Sequence, residues 1–158
     1  MATLAQQLKK AKRLNEKALL KSSFKFIKSI EKLVFDANLK QLEQGENAES
    51  QVLEHKNKRY SGHYTRYTAE NSQDALLPKE EGKLYNFVYS GDFIKGFTMQ
   101  VFTDKVVINS KGTGSGDKQL FFDGYDSLFG LTDDNLKAVI KTRLLPFILT
   151  DIRKTINV

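Results

Sequence analysis

The sequence predicts an α+β fold: a long N-terminal helix, a small antiparallel β-sheet with an extended middle loop, and a C-terminal helix kinked near Pro146. Three observations carry this. Residues 1–44 are dominated by Ala, Leu, Lys and Gln, which are strong helix formers. Two short runs with strand chemistry face each other across Thr103-Asp104-Lys105. A sharply capped apolar stripe at helical period then opens at Thr132. At 158 residues one domain is expected, spanning 1–158. It divides into a basic N-terminal helical region (1–44), an extended loop (45–83), and a β-hairpin plus C-terminal helix (84–158).

The first helix begins at Thr3, which with Gln6 three residues on fits a capping box. Leu4, Leu8, Ala11 and Ala18 make a thin apolar stripe, and Phe24, Ile27, Ile30, Val34 and Ala37 make a richer one. The reading is one long helix, or two joined near Ser22-Ser23, from about Leu4 to Gln44. Its first part carries Lys9, Lys10, Lys12, Arg13, Lys17 and Lys21. It reads as an arm that projects from the body and orders against a partner. The second part, with Phe24, Phe26 and Phe35, reads as packed on the core.

Charge is unevenly spread. Met1 to Leu33 holds nine Lys or Arg against two Glu, a net of +7, while the rest of the chain holds sixteen against seventeen, a net of −1. The whole excess of +6 therefore sits on the first element, which suits a polyanion, an acidic protein neighbour or simple solvation of a helix face.

Gly45 ends the helix, and Glu46 to Glu54 is acidic and polar. From His55 to Tyr67, bases alternate with aromatics: Lys56, Lys58, Arg59, Tyr60, His63, Tyr64, Arg66 and Tyr67. Such interleaving serves single-stranded nucleic acid, and Tyr-rich polar loops equally serve protein interfaces. Ala69 to Gly82 continues the loop. Leu84 to Tyr89 then reads as aromatic and apolar strand, and Phe97 to Phe102 pairs with Val106, Val107 and Ile108 as an antiparallel hairpin. Lys111 to Asp117 reads as a flexible glycine-rich loop. It lacks the Gly-Lys-Ser/Thr and the following helix of a phosphate loop.

Thr132 caps the last helix, Asp133 and Asp134 fill its first turn, and Leu131 with Leu136 has the spacing of a hydrophobic staple. Leu136, Val139, Ile140, Leu144, Phe147, Ile148 and Ile152 form an apolar stripe expected to face the core. Pro146 lacks a donor and biases Leu145 away from helical angles, so a kink or short break is expected there, with a second piece running to about Thr155.

Catalytic chemistry is hard to find. With no cysteine, disulfides and thiolate metal sites are excluded. His55 and His63 lie eight residues apart in loop sequence, and Asp123 and Asp126 sit in a turn where acids usually bond backbone. No nucleophile–base order, dinucleotide fingerprint or calcium loop is present, so neither enzymatic activity, a cofactor nor a metal site is expected. No apolar run reaches the roughly 18 residues of a membrane span, and the basic N-terminus lacks a signal-peptide core, so no membrane contact and synthesis in the cytoplasm are expected.

Two segments carry a family resemblance. Tyr89-Ser-Gly-Asp-Phe-Ile-Lys-Gly-Phe97 with Val106-Val-Ile-Asn-Ser110 is one, and Leu128-Phe-Gly-Leu-Thr-Asp-Asp-Asn-Leu136 is the other. Their order and spacing resemble small tailed-phage morphogenesis proteins of the tail-completion or head–tail connector class. The likeness covers roughly 70 residues; the His55–Tyr67 insertion and Pro146 have no counterpart in the family pattern. It implies a structural virion protein of the neck or tail. Its partners would be copies of itself in a ring, a hexamer or dodecamer, the portal or connector, the tail-tube proteins, and packaged DNA through charge only. The basic residues Lys9 to Lys21 would then meet DNA or an acidic partner. Lys58, Arg59, Tyr60, His63, Tyr64, Arg66, Tyr67 and Phe93 would form an interface. The alternative is a nucleic-acid-binding accessory protein that uses the basic helix and the Tyr/Arg loop.

Overall fold

A computed structural model describes residues 3–12, 14–56, 62–113 and 117–156. It is a mixed α and β architecture in which short helices surround one two-stranded antiparallel sheet. In place of one long N-terminal helix, the chain forms α1 (Leu4–Ala11), α2 (Glu16–Ser29) and α3 (Glu31–Glu43). The first break is set by Asn15, whose side-chain oxygen accepts from the Lys17 and Ala18 amides and so starts a new helix. The second falls at Ile30, at φ −107° and ψ 21°. The expected joint at Ser22-Ser23 is absent, because both hydroxyls bond back to the Leu19 carbonyl inside an unbroken helix. Nor does the first segment project as a free arm: α1 lies against the C-terminal helix.

Gly45 ends α3 in a left-handed cap, as expected. Its amide bonds the Leu42 carbonyl, and the Glu46 amide bonds the Gln41 carbonyl. A side chain here would be strained twice over, by φ +77° and by Leu84 Cδ1 2.4 Å from the position of a Cβ.

The described residues of 45–83 are a loop in connectivity but not in packing. Leu53 is buried, and His55 is enclosed under the 121–125 turn, where Nε2 lies 3.1 Å from the Phe121 carbonyl. One turn of helix, α4 (Arg66–Glu70), was not anticipated; Thr65 caps it. Leu84 to Tyr89 is not the expected strand. Phe87 adopts φ +53°, which no strand tolerates, and only an isolated bridge from Leu84 to His63 remains.

After α5 (Asp92–Lys95) comes the expected hairpin. β1 (Phe97–Val101) pairs with β2 (Val106–Ser110), with Val101 opposite Val106, and the turn closes through Phe102 N–H to the Lys105 carbonyl. The start of the glycine-rich segment is a tight 3-10 turn (Lys111–Thr113), packed so closely that a Cβ on Gly112 would sit 2.0 Å from the Asp92 carbonyl oxygen. The rest of that segment, 114–116, lies outside the described residues. A further helix the sequence reading missed, α6 (Asp117–Asp123), follows.

The core is aromatic. Leu42, Leu53, Phe87, Phe93, Phe97, Phe122, Tyr125 and Leu128 form one buried cluster. Phe93 stacks on Phe122 with ring centroids 4.5 Å apart and meets Phe97 edge to face at 5.2 Å, contacts worth about 0.5–1.5 kcal/mol each beyond area.

Above the core, α3 grips the approach to the last helix with two fully buried amides. Asn38 donates to the Leu128 carbonyl and accepts from the Gly130 amide, at 3.1 and 3.4 Å. Gln41, one turn on, donates to the Gly130 carbonyl at 3.3 Å and accepts from the Thr132 amide at 2.8 Å. That places Thr132 as the cap of α7 (Asp133–Val139), accepting from the Asn135 amide as expected. The helix then runs through a π turn (Ile140–Leu144) into α8 (Leu145–Ile156). The expected break at Pro146 does not occur. Leu145 is helical, its amide reaches the Ile140 carbonyl five residues back, and this looser turn precedes the proline.

Gln41→Leu keeps the volume but leaves the buried Thr132 amide without its acceptor. We expect a loss of about 1–3 kcal/mol of stability, read as a lower denaturation midpoint at unchanged m-value.

Candidate assembly surfaces

Three of the concave surfaces on the described residues matter here, and two of these belong to the outer helices. α2 buries only Ser23, and α7, the π turn and α8 bury no residue at all. α8 is attached to α2 through one side: Phe147 stacks on Phe26 at 4.2 Å, and Ser22 Oγ donates to Asp151 Oδ2 at 2.8 Å.

On another side of the same helix, Leu136, Ile140, Leu145 and Leu149 are each 42–46% exposed. Their spacing is four, five, four. The five-residue step spans the π turn, which holds an extra residue and so keeps the two halves of the stripe in phase. The expected core-facing stripe is therefore corrected: Leu136 and Ile140 belong to an exposed row, while Val139, Leu144, Phe147, Ile148 and Ile152 are half-buried. Leu136 and Ile140 also edge an apolar groove of about 510 Å³ whose other wall is Val106, Val107 and Ile108 of β2.

A second groove, of about 910 Å³, runs between α2 and the hairpin tip. Leu20, Phe24, Val101 and Phe102 supply apolar surface, and Lys17, Lys21 and Lys25 rim it. Lys28 completes the rim but is tied to Glu31 and to the Met99 carbonyl. Of the residues singled out from sequence, Lys17 and Lys21 thus come together here. Lys9, Lys10 and Lys12 are on or just beyond α1, with Lys9 and Lys12 exposed and Lys10 half-buried. Arg13, Lys58, Arg59 and Tyr60 lie outside the described residues.

The proposed interface loop is corrected at two positions. Phe93 is 3% exposed and stacked in the core, and Tyr64 is 8% exposed with its phenol donating to Asn86 Oδ1. Burial also pushes the Tyr64 phenol above its ordinary pKa. Tyr67 is 76% exposed, His63 is exposed, and Arg66 is occupied by Glu70 one turn along α4.

The third concavity, of about 450 Å³, is walled by Tyr64, Tyr85, Phe87 and Phe121, with Asp92 and Lys118 among its polar residues. The Ser90 hydroxyl, and Lys118 beside it, hold the Asp92 carboxyl below the usual carboxylate range. Inside lies Lys79, 8% exposed, which the sequence reading passed over. Its ammonium bridges Asn86 Oδ1 and the Val88 carbonyl and lies 5.1 Å from the centre of the Tyr64 ring. Among the described residues no carboxylate forms an ion pair with it, and burial lowers its pKa to about 8. As arranged, this amine is a strut closing the 78–88 turn.

That strut has a pH signature. The unfolded chain keeps Lys79 protonated up to about pH 10.5, while the folded chain releases the proton near pH 8. The unfolded state thus binds more protons between the two, and stability must rise with pH there. Relative to Lys79→Met, the native protein gains on the order of 1 kcal/mol from pH 8 to 10.5, allowing for water at the cleft mouth. Paired urea titrations of the two proteins across that window measure it, and a flat difference would contradict a buried charged amine.

Compared with protein-family models, curated proteins and solved structures, the chain matches none.

Proposed function

We propose that the chain is a structural virion subunit of a tailed bacteriophage, a tail-completion or neck protein that forms a ring between portal or connector and tail tube. The observation that carries this is the C-terminal helix. One side of it holds α2, and its row of Leu136, Ile140, Leu145 and Leu149 is left uncovered. An unfilled apolar row of this kind calls for a protein neighbour. Among the described residues neither β1 nor β2 pairs with a third strand, so the ribbon adds backbone hydrogen-bonding groups to the same requirement. A ring subunit needs such surfaces and no active site. Among the described residues, no cluster of three or more His, Cys, Asp or Glu side chains is placed to hold a metal ion. No helix there is long and apolar enough to cross a membrane. The tailed-phage position rests on the resemblance of the 89–110 and 128–136 segments.

Light scattering after gel filtration, at low and moderate salt and with or without short duplex DNA, tests the reading. We expect a discrete oligomer indifferent to DNA, and the protein present in purified particles. A salt-sensitive DNA complex with no self-association would instead favour the nucleic-acid accessory reading. The double variant Leu136→Ser, Leu149→Ser removes two exposed side chains. It should keep its melting temperature within a few degrees yet lose incorporation into particles by at least tenfold, since each buried leucine is worth about 1.5–3 kcal/mol.

A further inference from the structure

The lysine-rimmed groove has a complement on the same chain. Leu76 and Leu77 are 63% and 40% exposed on the turn that follows α4. They sit among acids: Asp74 precedes them, and exposed Glu80 and Glu81 follow. The leucines are held out, not flexing into the core. The Leu76 amide bonds the Tyr89 carbonyl at 2.9 Å, Tyr89 Oη donates to Asp74 at 2.6 Å, and Lys79 pins the far side to Asn86 and Val88. Asp74 accepts that hydrogen bond and raises the Tyr89 phenol above its ordinary range, so the contact fixes the acid in place.

Elsewhere on the chain, the groove between α2 and the hairpin tip offers the opposite chemistry. Its apolar surface is Leu20, Phe24, Val101 and Phe102, of which Leu20 and Phe102 are 47% and 46% exposed. Lys17, Lys21 and Lys25 stand along it, and among the described residues none of them makes an ion pair. Lys105, over the Phe102 ring, adds a further base at the tip. A groove with this much apolar surface is a poor bed for phosphates alone. Two leucines flanked by carboxylates satisfy both its surface and its rim.

Among the described residues no hydrogen bond or ion pair joins the acidic turn to the groove. We infer that the groove of one copy receives the Leu76-Leu77 turn of the next copy, with Asp74, Glu80 and Glu81 set against Lys17, Lys21 and Lys25. Because the two surfaces are different patches of one chain, the contact is head-to-tail. It propagates into a ring if the rotation closes and into a filament if it does not. This names one subunit contact within the assembly reading, besides the C-terminal row, and rests on that reading.

The absence of native cysteine makes the test direct. Leu77→Cys and Leu20→Cys are prepared as separate full-length proteins, mixed, and oxidised mildly at moderate salt. Val52→Cys, on the other exposed acidic stretch, replaces Leu77→Cys as the control. We expect a mixed Leu77–Leu20 dimer at least tenfold over either like pair and over the Val52 control, and a ladder from the double variant. Charge reversal of Lys21 and Lys25 to Glu should abolish it, and Glu80→Lys with Glu81→Lys on the other partner should restore it.

Equal like and unlike pairs would overturn the docking. So would preferential capture of Val52, or insensitivity to the charge reversals. Wild-type oligomers by light scattering without the Leu77–Leu20 cross-link would overturn this contact while leaving the assembly reading standing. A cross-link in a chain absent from particles would leave the contact standing and remove its virion role.

Discussion

Two buried amides on α3 hold this fold together. Asn38 and Gln41 are one turn apart, so both project from one face, and between them they satisfy four backbone groups of Leu128, Gly130 and Thr132. Each amide brings a donor and an acceptor, and both are used, so little polar capacity is buried unpaired. That grip fixes where the C-terminal helix starts. It also joins the aromatic core, which ends at Leu128, to an outer layer of helices that would otherwise have only half-buried contacts to hold it.

That outer layer was only partly legible. The Thr132 cap, the Gly45 stop and the Val101–Val106 hairpin were read correctly because each is decided within a few residues. A hydroxyl three residues before an amide, a glycine at a left-handed position and two apolar strand runs across a short turn need no distant partner. The joints in the N-terminal helix were misplaced for a related reason. Paired serines look like a break, but both hydroxyls found the Leu19 carbonyl, whereas Asn15 competed successfully for the next helix's amides. Its Asn-Glu context was a readable cap signal, hidden by the good helix formers on either side.

The remaining misses came from tertiary structure. Leu84 to Tyr89 has strand composition, yet Asn86 is claimed by the Tyr64 phenol, by Lys79 and by the Val88 amide, and the left-handed Phe87 follows from that knot. The same knot took Tyr64 out of the interface it was assigned to. Phe93 was misassigned because an aromatic in a short Gly-Asp-Phe turn looks the same in sequence whether it faces water or stacks on Phe122. Lys79 left no trace in the sequence at all: one lysine among twenty-five bases is unremarkable until its surroundings are known.

The π turn shows how a local irregularity decides what the surface is for. In an unbroken α-helix, a residue five positions after Ile140 lies about 140° round the axis from it, since each step turns about 100°. The wider turn through Ile140–Leu144 absorbs the surplus residue, so Leu145 and Leu149 fall back into line with Leu136 and Ile140. Phe147 is brought onto Phe26 of α2 by the same adjustment. Two stripes therefore survive, a half-buried one that meets α2 at Phe147 and an exposed one that runs from Leu136 to Leu149. Polar residues on the second stripe would serve the helix itself equally well, so its apolar character fits the proposed role as a contact surface. Its continuity across the phase shift is what the proposed assembly would use, with one side of the helix held to its own domain and the other offered to a neighbour.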